Sequence, residues 1–391
     1  MKRWLPAYSL GFASFIFVTS EFTPVGLLTE MGTSFNRTNA QTALLMTVYA
    51  WVVALLSIPL TAYVSKFNRR PLMLTLLGIF VVAHIMTALA TDFNFLLFSR
   101  LCVASSHAVF WAIAIPLGIR LAPRGFRERA IAIVATGATT GGVLGIPFGT
   151  YLGQIFGWRL TFAVIGVCAA LIALLLFRLV PSTPSQNPGN LKSFIPLMKR
   201  KDLILVYLMT VIMMTGHFCA YTFISPYLLE IGGMEKEWIS TILLVFGGAG
   251  FIGSFFAPSL LKRHFRKTAV LSSVTMAFSL IALRGAVVAY PLMLLLVLIW
   301  GGAFIFFNLV LQNLVLAVAP DAEDVAMAGY SGIFNLGIGG GALTGSIAST
   351  HFLFALGYIG AVFVALAILI CIYIMQRPFI SHLENGKLSL S

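Results

Sequence analysis

The sequence predicts an all-α membrane protein: twelve transmembrane helices in two pseudo-symmetric six-helix bundles, with both termini cytoplasmic. Three observations carry that expectation. Apolar residues make up 59% of the chain and charged residues only 9%, where a soluble domain carries roughly 25% charge. Apolar runs of about 20 residues, each able to cross a bilayer core of about 30 Å as a helix, recur along nearly the whole chain. Lys and Arg gather in alternate connections. With no water in the core, each segment must satisfy its own backbone donors and acceptors, which selects helix.

The spans are expected at 7–28, 42–64, 71–91, 95–118, 130–153, 160–180, 203–227, 239–261, 268–288, 292–316, 328–350 and 354–376. The first follows Met1, Lys2, Arg3 and Trp4. It is long and lacks a small-residue cleavage site, so it reads as a retained span rather than a signal peptide. It contains Glu21, Pro24 and Gly26. The second is followed by the basic stretch KFNRRP, with Lys66, Arg69 and Arg70. The fourth holds Arg100, His107 and Trp111 at helical spacing, on one stripe. In the fifth, Gly137, Gly141 and Gly145 recur every four residues, which lets another helix approach closely, and Pro147 can kink the chain.

The connection after the sixth span, PSTPSQNPGNLKSFIPLMKRKD at 181–202, is long and rich in Pro, Ser and Asn. It reads as a cytoplasmic linker between a bundle at 1–180 and a second at 203–391, which ends in a short cytoplasmic tail. The seventh span carries Thr210, Met214, His217 and Tyr221 on one stripe. The eighth contains the small-residue face GGAGFIGS and is followed by KRHFRK. The tenth carries Trp300, Phe304, Asn308 and Gln312 every four residues, with Phe307 beside them. The eleventh contains GIGGGALTG, Phe334 and Asn335.

Orientation follows from the basic residues. With the N-terminus inside, 20 of the 25 Lys and Arg fall on the cytoplasmic side, leaving Arg37, Arg100, Arg159, Lys236 and Arg284 elsewhere. That distribution explains the net charge of +13 through the membrane, not through nucleic acid. The halves also echo one another. LAPRGFRERAIAIVATG resembles VAPDAEDVAMAGYSG, and FGWRLTF resembles LGYIGAVF, at offsets of about 197 and 200. Such a repeat implies a site near the midplane between two related bundles.

Several function classes are excluded by what the chain lacks. No phosphate-binding Gly-x-x-x-x-Gly-Lys-Ser/Thr loop supports an ATP-driven pump. No His-Glu-x-x-His, nucleophile triad or paired intramembrane Asp supports an enzyme. The cysteines, Cys102, Cys168, Cys219 and Cys371, lie in apolar segments without metal-ligand spacing and read as reduced packing residues. No cofactor or metal is expected.

Polar residues inside the spans carry the functional reading. Glu21 is the only carboxylate well inside any span, where an unpaired charge costs several kcal/mol. It reads either as a proton-coupling or substrate-binding group, or as a protonated packing residue beside Pro24. Arg100, toward the outer end of its helix, can snorkel or face a wet cavity, and is a plausible partner for Glu21. His107 and His217 lie near the midplane of the fourth and seventh spans and are further proton-coupling candidates. Substrate contacts are expected from Glu21, His107, Trp111, His217, Tyr221, Trp300, Phe304, Asn308 and Asn335, because amides suit hydroxyls and aromatic faces suit a sugar ring. The other reading of the Asn and aromatic positions is helix packing, and packing is preferred for Gln312 and Phe307. No cluster of Arg or Lys lies deep in the second half, so a neutral substrate is expected over a multiply anionic one.

TAYVSKFNRRPLML, LLFSRLCVA and GATTGGVLGIPFG resemble signatures of the major facilitator superfamily, in its proton-linked efflux branch. Lys66, Arg69 and Arg70 match that family's loop after the second helix, whereas Thr61, Ser65 and Asn68 replace its Gly, Asp and Gly. In the fifth helix, Ile146 is an extra residue between Gly145 and Pro147. EFTPVGLL, SSHAVFW, TGHFCAYTFISPYL and APDAEDVAMAGYSGIFNLGIGGGAL resemble, more narrowly, bacterial sugar efflux transporters. The resemblance implies export of arabinose or alkyl thiogalactosides in exchange for protons by a multi-pass protein of the bacterial inner membrane. It would act as a monomer, with a small-molecule sugar, protons and the lipid bilayer as its partners and no nucleic acid. Lys66, Arg69, Arg70, Gly137, Gly141, Gly145 and Pro147 are then implied to serve the conformational change. A drug or nucleoside antiporter of the same fold is the alternative.

Overall fold

The computed structural model describes residues 4–64, 66–123, 126–181 and 194–380. Most of the expected linker, at 182–193, lies outside these residues, as do Ser65 and the basic residues Lys2, Arg3, Arg124, Lys192 and Lys387. The described chain is overwhelmingly helical. In order the helices are α1 (Leu5–Gly26), α2 (Leu28–Thr33), α3 (Asn39–Thr42), α4 (Leu44–Val64), α5 (Arg69–Ala88), α6 (Phe93–Leu121) and α7 (Arg127–Thr140). A π turn at Gly141–Gly145 leads to α8 (Ile146–Phe156) and then α9 (Trp158–Leu179). The rest are α10 (Phe194–Leu197), α11 (Lys201–Tyr221), α12 (Ile224–Pro226), α13 (Glu237–Ala286), α14 (Tyr290–Val318), α15 (Glu323–Phe352) and α16 (Leu356–Met375).

Among the described residues, nine helical runs are long and apolar enough to cross a membrane. Two of them, Glu237–Ala286 and Val325–Met375, have 50 and 51 residues. At about 1.5 Å per residue each would extend roughly 75 Å, well beyond a bilayer core of about 30 Å. The first loses helical geometry at His264, where φ is −145° and ψ 51°. The second passes through a 3-10 turn at Leu353–Ala355. α1 is as long as a span, but its Ser, Thr and Glu residues make it less apolar than those nine. Large apolar side chains face outward, among them Leu55, Phe148 and Phe156, and elsewhere Phe255, Leu271 and Ile347. A water-soluble surface rarely carries so much contiguous apolar area; lipid accepts it.

The chain divides into two compact units, one of residues 1–38 and 48–191, the other of 39–47 and 192–391. In the first unit, α1 packs along α7 and α8, and α5 lies against α6 and α9. In the second, α11 packs along α15 and α16, and α13 against α14. The two units solve the central contact in the same way. A Cβ added to Gly137 would run into the Gly11 carbonyl, one at Gly141 would lie 2.6 Å from the Phe15 carbonyl oxygen, and one at Gly145 would strike Thr19. In the second unit, a Cβ added to Gly337 would lie 3.0 Å from the Val211 carbonyl oxygen, one at Gly341 2.7 Å from that of Thr215, and one at Gly345 2.6 Å from that of Cys219. Glycines and partners alike are displaced by 200 residues, so each element of α1 has its counterpart 200 positions on in α11. Only a missing side chain allows backbones this close.

The residue Ile146, extra to the resemblance, also has a structural account. A π turn takes one more residue per turn than an α-helix. The π turn at Gly141–Gly145 lies immediately before Ile146 and Pro147.

Candidate functional site

Pro24 shapes the polar centre of the first unit. It sits inside α1 and has no N–H, so the carbonyl four residues earlier, at Ser20, loses its helical donor. Arg100 of α6 supplies one instead: Nη2 donates to the Ser20 carbonyl oxygen at 3.0 Å, and Nη1 to Ser20 Oγ at 3.3 Å. The guanidinium lies over the rings of Tyr49 and Phe162, 4.7 and 5.5 Å from their centroids, a contact that favours a desolvated cation. His84 completes the group. Its Nδ1 donates to the Phe80 carbonyl oxygen at 2.7 Å, so its Nε2 accepts from Ser20 Oγ at 2.8 Å.

Arg100 has no exposed surface at all. It neither snorkels nor faces an open cavity, because the Tyr49 and Phe162 rings cover it. The Glu21–Arg100 ion pair expected from the sequence is also not formed, since the guanidinium turns to the carbonyl that Pro24 leaves open. Its Nε remains without a hydrogen-bond partner.

Glu21 is 6% exposed, and its nearest charged or titratable contact is His107, with Oε2 3.8 Å from Nε2. Among the described residues no group donates a hydrogen bond to its carboxyl. Trp111 Nε1 donates to His107 Nε2 at 2.6 Å. A neutral ring must then carry its proton on Nδ1, which donates to Tyr49 Oη at 2.5 Å. His107 can turn an Nε2–H toward Glu21 only by giving up the Trp111 bond, either on gaining a proton or by switching tautomer so that Tyr49 Oη donates to Nδ1. Glu21, Arg100, His107 and Trp111 therefore belong to one cluster, joined through Ser20 and Tyr49.

The second unit carries an aromatic box. His217 of α11 stacks on Phe304 at 4.2 Å, Tyr221 at 5.2 Å and Phe246 at 5.9 Å between centroids. Trp300 and Phe218 meet it edge-on at 5.3 and 4.7 Å. His217 Nδ1 and Trp300 Nε1 are both buried without a hydrogen-bond partner. Such groups normally cost about 1–3 kcal/mol each. Asn308 lies in a separate cluster, where its Oδ1 accepts from Gln312 Nε2 at 2.5 Å and Tyr330 Oη at 3.4 Å. Asn335 donates to the Ser331 carbonyl of its own helix at 3.0 Å, leaving its Oδ1 unpartnered. Phe307 is fully buried.

The repeat makes the two clusters comparable. Tyr221 occupies the position of Glu21, and His217 that of Phe17. His107 and Phe304 are each the fifteenth residue of a 29-residue helix. Phe17 meets His107 edge-on at 5.7 Å, as His217 meets Phe304 face to face. One His–Phe pair thus recurs with its members exchanged between helices, and among the described residues only that of the first unit has a carboxylate and a guanidinium nearby.

The basic loop after α4 is built differently from an ion-pair relay. Lys66 lies over the Tyr63 and Phe67 rings at 4.7 and 5.4 Å. Arg70 Nη2 donates to the Phe177 carbonyl oxygen at 2.6 Å, at the C-terminal end of α9, where a cation offsets the helix dipole. Arg69 opens α5 beside it. At the ends of the second unit's helices, Arg200 grips Asp321 with two bonds of 2.7 and 2.6 Å, and Arg377 donates to Asp202 at 2.9 Å.

Sequence reasoning missed Ser20, Tyr49, His84 and Phe246. Ser20 was traceable, because any helical proline strands the carbonyl four residues before it. Tyr49 and Phe246 carry no such signal, being ordinary aromatics in apolar runs. His84 was traceable only as one more histidine inside a span.

Helices that are apolar outward and hold ionisable groups inward define a multi-pass membrane protein. The chain belongs to the Major Facilitator Superfamily, whose family model matches residues 10–331. Solved structures agree in fold. A bacterial homolog of the human lysosomal transporter Spinster, inward-facing and unoccupied, superposes with a TM-score of 0.70 at 16% identity, covering 99% of this chain and 98% of its own. A D-xylose–proton symporter gives 0.74 at 16%, covering 94% and 96%. A nucleoside transporter gives 0.72 at 15%, covering 95% and 99%.

Proposed function

We propose that the chain is a secondary transporter that exports neutral sugars or glycosides, such as arabinose and thiogalactosides, by proton antiport and alternating access. In this reading the long runs containing His264 and Leu353–Ala355 each cross twice, and with α1 the crossings number twelve. Both termini are cytoplasmic, 181–202 links bundles at 1–180 and 203–391, and the protein works as a monomer in the bacterial inner membrane. The resemblance of EFTPVGLL and its companion stretches to the sugar efflux transporter B subgroup supports the substrate class.

The observation that carries the proposal is the division of chemistry between equivalent positions. Glu21, near His107 and Arg100, provides a carboxyl able to gain and lose a proton. Tyr221, in its place 200 residues on, belongs to an uncharged aromatic box with two unpartnered ring nitrogens. Protonated Glu21 needs no counter-ion. Ionised Glu21 has two donors to recruit, the free Arg100 Nε and a protonated His107. Either recruitment repacks α6 against α1, which would couple the proton to the conformational change. The loop of Lys66, Arg69 and Arg70 and the glycine face of Gly137, Gly141 and Gly145 with Pro147 are proposed to permit that movement.

A drug or nucleoside antiporter is the second reading, favoured by the aromatic character of the box. Everted vesicles with an imposed pH gradient separate the two. Accumulation of labelled arabinose or a thiogalactoside is expected; accumulation of chloramphenicol or a nucleoside, with no sugar, would overturn sugar export.

A further inference from the structure

The break in α13 opens a groove unrelated to the two clusters. It has a volume of about 530 Å³ and runs between the arms of α13 on either side of His264 and the face of α14. Leu271, Leu298, Ile299 and Phe306 make most of it apolar, and Leu271 is 67% exposed. At one end the lining changes to His264 and Lys267, both exposed. Lys262 and Arg263 lie in the same turn, and no acidic residue occurs anywhere between Glu237 and Asp321. The one carboxylate on either helix is Glu237, at the far N-terminal end of α13, so none on these helices lies beside the basic end. Gly302 lines the groove midway along, and a Cβ added there would meet nothing within 4 Å.

We propose that this groove binds one anionic phospholipid, its phosphate held at Lys267 and His264 and an acyl chain lying along α14. A basic pocket beside spanning helices suits an anionic headgroup, and the apolar floor leading from it suits a tail. A free anion would use only the basic end, and a zwitterionic lipid would gain little from it. The proposal is independent of what the transporter carries.

The test uses the full chain purified in neutral detergent, titrated with short-chain phosphatidylglycerol and followed by native mass spectrometry and thermal unfolding. Phosphatidylcholine and inorganic phosphate serve as comparators. One phosphatidylglycerol should bind saturably and raise the melting temperature, with phosphatidylcholine about tenfold weaker and phosphate without effect. Lys267→Gln should weaken binding about fivefold. Gly302→Leu fills open space, so it should abolish the bound lipid and leave the lipid-free melting temperature nearly unchanged. Equal phosphatidylglycerol binding by the wild type and both variants would overturn the proposal, as would equal binding of phosphatidylcholine.

Discussion

Arg100 donates to the backbone carbonyl of Ser20, the oxygen whose helical donor Pro24 removes. A buried cation thus rests on a backbone dipole rather than on the carboxylate of Glu21, whose contact is with His107. Pro24→Ala tests the relationship. Restoring the N–H relieves a helix-interior proline, worth about 3 kcal/mol, but displaces a charged hydrogen bond worth about 1.5–3 kcal/mol. The two nearly cancel, so thermal unfolding should move little. Export should instead show an altered pH dependence, because Arg100 is released toward Glu21. An unchanged pH profile would separate Arg100 from coupling.

The glycine face makes a sharper packing prediction. Gly141→Ala and Gly341→Ala place a Cβ 2.6 and 2.7 Å from carbonyl oxygens of Phe15 and Thr215, so the helices must part, at about 1–3 kcal/mol each. Gly142→Ala meets only Val18, at 4.0 Å, and should be tolerated. Melting temperatures of the three variants check this; equal values would contradict it.

Trp300→Phe removes an N–H that has no partner while keeping most of the ring. Stability should hold, and substrate affinity should fall by about tenfold if that N–H serves a sugar hydroxyl. Equilibrium binding in detergent reads the difference. A loss of stability without a loss of affinity would make Trp300 a packing residue.

Hydrogen bonds from the Arg200 guanidinium hold the Asp321 carboxyl down to about 2, from an ordinary 3.8. A lowered carboxyl pKa adds stability that is fully present above the unfolded value and fades as pH falls through the folded one. Asp321→Asn should therefore lower the melting temperature by a constant amount from about pH 5 to 8, with the gap to wild type closing below about pH 4. A gap that widens on acidification would contradict the pairing.

What was legible in the sequence follows from local physics. Small residues every four positions let another helix approach closely, and Gly137, Gly141 and Gly145 do meet α1 at Gly11, Phe15 and Thr19. Glu21 stood out because a carboxylate in an apolar run is costly. The partner choices were not legible. The expected spans place Arg100 and Glu21 each in the outer half of its helix, but that does not give rotamers, and the Tyr49 and Phe162 rings that enclose Arg100 come from other helices. The exchange of His and Phe between His107–Phe17 and His217–Phe304 required the register that the glycine contacts fix.

The central claim is that Glu21 carries the coupled proton. In everted vesicles, wild type and Glu21→Gln would be compared for uptake of labelled arabinose driven by an imposed pH gradient, and for gradient-free exchange of the same sugar. The account predicts that Glu21→Gln loses gradient-driven accumulation by about 100-fold or more, as expected for removing an essential proton carrier, while exchange persists. Undiminished accumulation with an unchanged pH dependence in Glu21→Gln would contradict it.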